Sequence, residues 1–533
     1  MASKKHIRRI EQALAAGDAQ TALELCQKRL AINARDADII LLQAQSLLTM
    51  GNMSAAIEAV SPLTARAKAP AGAYHIHAHA LIQIDQKDKA FEIVKAGLDS
   101  HANQQDLLQY AGLLADQLTM PIDSERYFRQ LLALNPSHPD AGIGLGNALQ
   151  QQGRNEEAHA AYLDASVVAP NNPSPMVNAA NLWAKEPDQT NAQAAYRAVL
   201  KKFPDRADVY ANVGASYVLS ADYNEAVQAY DSYLKRDPDD FDANLSRAKT
   251  LLKAGSAAES VQALSEMAER FPDNPKVCPE LINACLSLGD AELAKSHFDA
   301  YRARFPYSAD VCSCASILHA TLHPEKHAQG QAALVAEIQA YDLTPPPEYA
   351  DAHAFFDDVC AAVYAHPSLM EAPADHATIA GLHTGDLAKE PVATPLAMLI
   401  RAIKARVLDY VARPETAANS FFDGFNPERA NFNLWAVVMR DGGHQEAHIH
   451  PSARLSGVVY GKVPTSIQDS NDRAGWIEFG RPHRDFHQPE SLPVKLIKPS
   501  MGRIVLFPSH TYHATLPLNG DDHRISLAFD VVG

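Results

Sequence analysis

Six prolines stand 34 residues apart, at Pro136, Pro170, Pro204, Pro238, Pro272 and Pro306. Glycines keep the same period at Gly17, Gly51, Gly153, Gly255 and Gly289. So does a third class, Ala22, Ala56, Ala90, Ala158, Ala192, Ala226 and Ala294, with Ser124 and Ser260 in phase. Three residue classes at one period describe a chain of similar units, each unable to bury its apolar face alone. The position chemistry says what the unit is. Glycine accepts the left-handed backbone that ends a helix. An alanine-sized residue lets two helices approach where a larger one would hold them apart. Proline lacks the N–H needed to continue a helix. Each unit therefore reads as helix, turn, helix, with proline marking the link to the next.

This pattern resembles the tetratricopeptide repeat, which implies an all-α superhelix with a long concave face. About nine units span residues 3–308, and a degenerate helix pair extends the array to 342. The first three units lack the proline, which blurs their boundaries. The groove of such an array suits a protein or peptide partner.

At 533 residues the chain is too long for one compact core. Its formal net charge of −16, without a Lys/Arg run, argues against nucleic-acid binding. No run of 18 apolar residues occurs, so no membrane span is expected. The basic start, Lys4 to Arg9, precedes no apolar run and reads as the start of a helix. The six cysteines lie mostly in helical patterns, which points to buried thiols and a reducing, cytoplasmic setting.

The period is lost at Tyr341-Asp342-Leu343-Thr344-Pro345-Pro346-Pro347, which reads as a linker or sharp turn. A second domain is expected over 350–533. Its lead-in, 350–415, is helical, as the spacing from Leu396 to Val411 suggests. Its barrel, about 425–533, carries strand-like runs at Asn431–Val438, Leu455–Val463, Trp476–Phe479, Arg503–Phe507 and Arg524–Val532. Short strands between turn signals suggest an antiparallel sandwich or barrel, and a helix-flanked double-stranded β-helix, or jelly roll, is the reading adopted.

The chemistry is concentrated near the end. Side chains alternate faces along a strand, so His448 and His450 point the same way and can chelate one metal ion. His513, beyond the strong run that ends in Phe507-Pro508-Ser509, is the candidate third ligand. Glu446, two residues before His448, is a back-up ligand. After a turn over Leu516–Asp522, Arg524 and Ser526 share one face. A guanidinium binds a carboxylate bidentately and stays protonated when buried, which suits the distal carboxylate of a 2-oxo acid. Ser526 and Tyr460 can each donate one further hydrogen bond.

Together His-Ile-His-Pro-Ser-Ala-Arg-Leu-Ser-Gly-Val-Val-Tyr (448–460), Gly502 to Ser509, His513 and Arg-Ile-Ser (524–526) resemble the motifs of the Fe(II)/2-oxoglutarate-dependent oxygenase superfamily. The resemblance covers about 425–533. It implies that His448 and His513 bind Fe(II), and that Arg524, Ser526 and Tyr460 hold 2-oxoglutarate. It also implies that O2 is the second cosubstrate and hydroxylation the reaction. The chain departs from the pattern at His450, where most of the superfamily has Asp or Glu. A three-histidine set is one negative charge short and also accepts Zn(II) or Ni(II). The functional expectation is a dioxygenase whose repeats recruit a protein or peptide substrate. The alternative is a non-catalytic repeat scaffold with a metal-binding or degenerate jelly roll.

Overall fold

The computed structural model describes residues 2–66, 69–371, 377–388, 394–469, 473–520 and 522–533. It divides into two compact units, Met1–Asp237 and Pro238–Gly533.

The first unit is helical throughout its described residues, from Ala2–Ala15 to Tyr223–Leu234, and each helix packs on the next. The periodic positions do what their chemistry suggests. Ala22, Ala56, Ala90, Ala158, Ala192 and Ala226 are fully buried between paired helices, as is Ser124. A buried hydroxyl needs a partner. Ser124 Oγ finds one in the carbonyl of Gly112, at 3.0 Å on the preceding helix. The periodic glycines have φ between 74° and 86° and sit at helix-ending turns. Where the glycine is missing, the turn keeps its shape. Asp85, Thr119 and Ala221 occupy equivalent positions with φ of 57°, 55° and 61°.

The second unit begins with six more helices: Phe241–Lys253, Ala257–Arg270, Val277–Leu288, Ala291–Arg304, Ala309–Leu322 and His327–Glu337. The same rules hold here. Ser260 is fully buried and donates to Ala248 O at 2.8 Å.

A curled antiparallel sheet follows. Its strands are β1 (Gln339–Asp342), β2 (Met370–Glu371), β3 (Thr378–His383), β4 (Asn431–His448), β5 (Leu455–Lys462), β6 (Ile477–Phe479), β7 (Lys495–Ile497), β8 (Arg503–Pro508), β9 (His513–Thr515) and β10 (Arg524–Val532). They run in the order β1-β8-β5-β10-β4-β9-β6-β7, with β3 also on β4 and β2 on β3.

The curl originates in β4. Its first half, Asn431–Met439, pairs with β10, and its far end pairs with β9 at Gln445 and His448. Between the halves lie Gly442, at φ +71°, and Gly443, where a Cβ would stand 2.8 Å from the carbonyl oxygens of Ala380 and Arg440. Only glycine allows that approach, so the strand bends there and changes partner.

Alternation sorts the side chains. Leu434, Ala436 and Val438 of β4, with Ile525, Leu527, Phe529 and Val531 of β10, pack under the helices Ala352–Ala365 and Pro395–Val411. Val437, Met439, Tyr460, Val505 and Phe507 form a second cluster on the inner face. The inner face therefore holds the even-numbered residues of β10, among them Arg524 and Ser526.

Two segments differ from the sequence-based expectation. Tyr341 and Asp342, read as the start of a linker, end β1, which pairs with β8. The lead-in 350–415 holds two helices with the β2–β3 hairpin between them, and β3 pairs with β4. Residues 372–376 and 389–393 of that lead-in, and residue 521 of the expected turn, lie outside the described residues.

The connection from β6 to β7, residues 480–494, is held by the unit's own helices. Asn283 donates to Asp485 O at 3.0 Å and accepts from His487 N at 2.8 Å. Gln331 makes the same two-way clasp with Val494, at 2.9 and 3.1 Å.

Candidate metal centre

His448 is the last residue of β4 and stands opposite His513, the first of β9. His450 lies just beyond the strand, where its backbone N–H donates to Ser509 O at 3.0 Å. One ring nitrogen from each residue lies within 4.8 Å of the other two. Three residues that read as potential ligands in sequence thus share one point in space. Glu446 does not join them. Its half-exposed carboxylate lies 3.8 Å from His483 Nε2, and only its backbone carbonyl touches the cluster.

The second nitrogen of each ring sets the tautomer. His448 Nδ1 lies 2.7 Å from Glu446 O, His513 Nδ1 3.1 Å from Thr511 O, and His450 Nδ1 3.0 Å from Asp530 Oδ2. All three partners can only accept, so each Nδ1 carries the hydrogen and each Nε2 keeps a lone pair. His450 Nε2 and His513 Nε2 face each other at 3.3 Å. Two lone pairs at that distance repel unless a cation lies between them. Burial, then the charge of His450, pushes His448 down to about 4. Burial, then His448 and His450, holds His513 well below its ordinary value. A metal ion at that point would take up the three lone pairs, and it fits the donor set. The rings are shielded on one side by Phe507 and Phe479, whose centroids lie 4.6 and 6.1 Å from that of His513.

Arg524, on β10, is 1% exposed. Its guanidinium donates to Gly475 O at 2.5 Å, its Nε has no partner, and no carboxylate lies within ion-pair distance among the described residues. Burial lowers its pKa, yet an arginine remains protonated. Tyr460, on β5, is equally buried, and its hydroxyl also has no partner. Burial pushes that hydroxyl up to about 12, so it is a neutral donor. Ser526 stands opposite Tyr460 in the β5–β10 register. The three histidines, Arg524, Ser526 and Tyr460 line one cavity of about 30 Å³.

Sequence reasoning missed Asp530. It is 6% exposed, and besides His450 it takes a hydrogen bond from Ser456 Oγ at 2.6 Å. Its one sequence signal is its phase, since it lies on the same alternation as Arg524 and Ser526. Trp435 also lines the cavity, with its ring 5.8 Å from that of His450.

Family models match three segments of the chain. Residues 433–530 match the family model described as "Putative 2OG-Fe(II) oxygenase". Residues 122–178 and 216–275 match tetratricopeptide-repeat models. The chain combines tetratricopeptide repeats with a C-terminal domain of this 2OG-Fe(II) oxygenase family. No curated protein matches it.

Solved structures similar to the chain include three repeat proteins. One, a TPR repeat-containing protein from Cytophaga hutchinsonii, is 15% identical with a TM-score of 0.39, over 45% of this chain and 98% of that one. A tetratricopeptide repeat protein from Parabacteroides merdae is 15% identical with a TM-score of 0.36, over 46% and 98%. A thermophilic TPR protein from Thermus thermophilus is 24% identical with a TM-score of 0.27, over 34% and 97%.

Proposed function

We propose that the chain is an Fe(II)/2-oxoglutarate-dependent dioxygenase of the hydroxylase type, built on a helix-flanked double-stranded β-helix. Its repeat domain, over residues 3–342, recruits a protein or peptide substrate to the oxygenase domain, over 350–533. The observation that carries the reading is Arg524. A buried cation without a counter-charge is strongly unfavourable, and truncating its intended partner in other proteins costs several kcal/mol. An anionic ligand removes that penalty. The cavity that this guanidinium borders also receives three imidazole lone pairs, so the anion it suits is one tethered to a metal.

Bound Fe(II) and 2-oxoglutarate supply O2 activation and C–H hydroxylation, with release of succinate and CO2. The residues have distinct tasks. His448, His450 and His513 hold the metal through their Nε2 atoms. Arg524 takes the distal carboxylate, and the Tyr460 and Ser526 hydroxyls donate to it. Phe479 and Phe507 keep water from the His513 side. The cavity these side chains line is the place for the cosubstrate, with Arg524 held there by the carbonyl of Gly475. Recruitment by the repeats raises the local concentration of substrate. The six cysteines are all free and buried, which supports a cytoplasmic setting.

Anaerobic titration with Fe(II) and then 2-oxoglutarate tests the reading. A metal-to-ligand charge-transfer band and substrate-independent succinate formation are expected. Arg524→Ala should weaken 2-oxoglutarate binding by at least tenfold, since losing one side of a buried charge pair costs about 2–5 kcal/mol. Fe(II) binding without a charge-transfer band, or a band indifferent to Arg524→Ala, overturns the proposal and leaves a repeat scaffold with a metal-binding domain.

A further inference from the structure

We infer that Asp530 is a positioning residue for the metal. Through His450 it supplies the negative charge that this three-histidine ligand set lacks. The inference rests on the metal reading given above.

Three observations carry it. First, Asp530 is a buried carboxylate, 6% exposed, with no Lys or Arg in ion-pair distance among the described residues. Its whole environment is Ser456 Oγ on Oδ1 at 2.6 Å and His450 Nδ1 on Oδ2 at 3.0 Å. Taking a carboxylate out of water for one hydroxyl and one ring N–H is unfavourable. A cation on the far nitrogen of that ring makes the arrangement favourable.

Second, the three rings are not equivalent. His448 and His513 donate to peptide carbonyls two residues back in the chain, which orient the rings but bring no net charge. His450 alone donates to a carboxylate. It also occupies the position where the resembling superfamily places a carboxylate ligand. A charged acceptor at Nδ1 makes Nε2 a stronger donor to a metal and fixes its direction. The missing charge is thus present, displaced outward by one imidazole.

Third, alternation along β10 puts Arg524, Ser526, Ala528 and Asp530 on one face. The first three line the cavity, and Asp530 holds one of the histidines that line it. The face is positive at 524 and negative at 530. A ligand with an anionic tail and a cation at its head fits that polarity in one direction only. Arg524 takes the tail, and Asp530 lies behind the cation.

Asp530→Asn separates charge from shape, because the amide oxygen can still accept from His450 while the amide NH2 donates to Ser456 Oγ. Fe(II) affinity, measured anaerobically by chelator competition, is expected to fall by about 10- to 100-fold, the usual effect of losing such a partner. The Fe(III)/Fe(II) potential should rise, because the oxidised ion loses more stabilisation. A role in packing alone would move neither quantity. Wild-type affinity and potential in Asp530→Asn, with binding abolished in His513→Ala, overturn this inference and spare the metal site. Persistence of Fe(II) binding in His513→Ala overturns both. If Asp530→Asn does not fold, Asp530→Ser, which also removes the carboxylate, serves instead. It should weaken Fe(II) binding by the same roughly 10- to 100-fold, and unchanged affinity there also overturns the inference.

Discussion

Glu337 ends the helix His327–Glu337 in a position largely shut off from water, and burial pushes its carboxyl up to about 7. Asn419 Nδ2 donates to it at 3.0 Å. In the unfolded chain this group titrates at its ordinary value of 4.5. Between the two values the folded state binds more protons, so the stability it contributes is present below about 4.5 and is lost as pH rises through about 7. Wild-type thermal stability should therefore drop by a few degrees between about pH 5 and about pH 8 from this group alone. Glu337→Gln keeps the acceptor for Asn419 and should flatten that slope. An identical slope in the variant would show that another group is responsible. The histidines show the same physics with opposite sign, since burial disfavours whichever form is charged.

At the scale of the turn, the repeats offer a comparison within one molecule. Gly153 and Thr119 hold equivalent left-handed positions, at φ 74° and 55°. A β-branched residue is strained there by roughly 1–2 kcal/mol, and glycine returns part of that through its freer unfolded chain. Thr119→Gly should raise stability by roughly 0.5–1 kcal/mol, read as a higher denaturant midpoint. A lower midpoint would show that the Thr119 hydroxyl bond to Leu118 O, at 2.7 Å, outweighs the backbone strain.

The repeats were legible because their signal is redundant. Small residues at one phase must be buried for the helices to touch, and they are. The long strands were legible because runs such as Leu434 to Val438 and Ile504 to Phe507 are apolar throughout. Five strands were not. β1 (Gln-Ala-Tyr-Asp), β2, β7 and β9 (His-Ala-Thr) are too short to display alternation, β3 is interrupted by a register shift between Ile379 and Gly381, and all five exist because a neighbour offers an open edge. His448, His450, His513, Arg524, Ser526 and Tyr460, singled out because metal and carboxylate chemistry restricts the residue types, line one cavity. Asp530 was not singled out, since an acidic residue in a strand has no distinctive spacing, and its partner lies 80 positions earlier.

In the unit Pro238–Gly533 the sheet does not stand apart from the helices before it. Ser491 Oγ donates to Ala320 O at 2.7 Å, and the Tyr410 hydroxyl to Glu337 O at 2.6 Å. Asn283 and Gln331 clasp the 480–494 connection, which continues directly from Phe479, the residue opposite His513. A fragment of residues 343–533 loses these bonds and the strand that covers the edge of β8. It should be aggregated or molten by near-UV circular dichroism, whereas 238–533 should bind Fe(II) as the full chain does. A 343–533 fragment with native spectra and full affinity would contradict this. The three-proline run looks like a joint at which to cut, yet the residues just before it are woven into β1. Recombination at that point would not yield a transferable cassette, and the sheet of this chain can be inherited whole only together with the last helices that precede it.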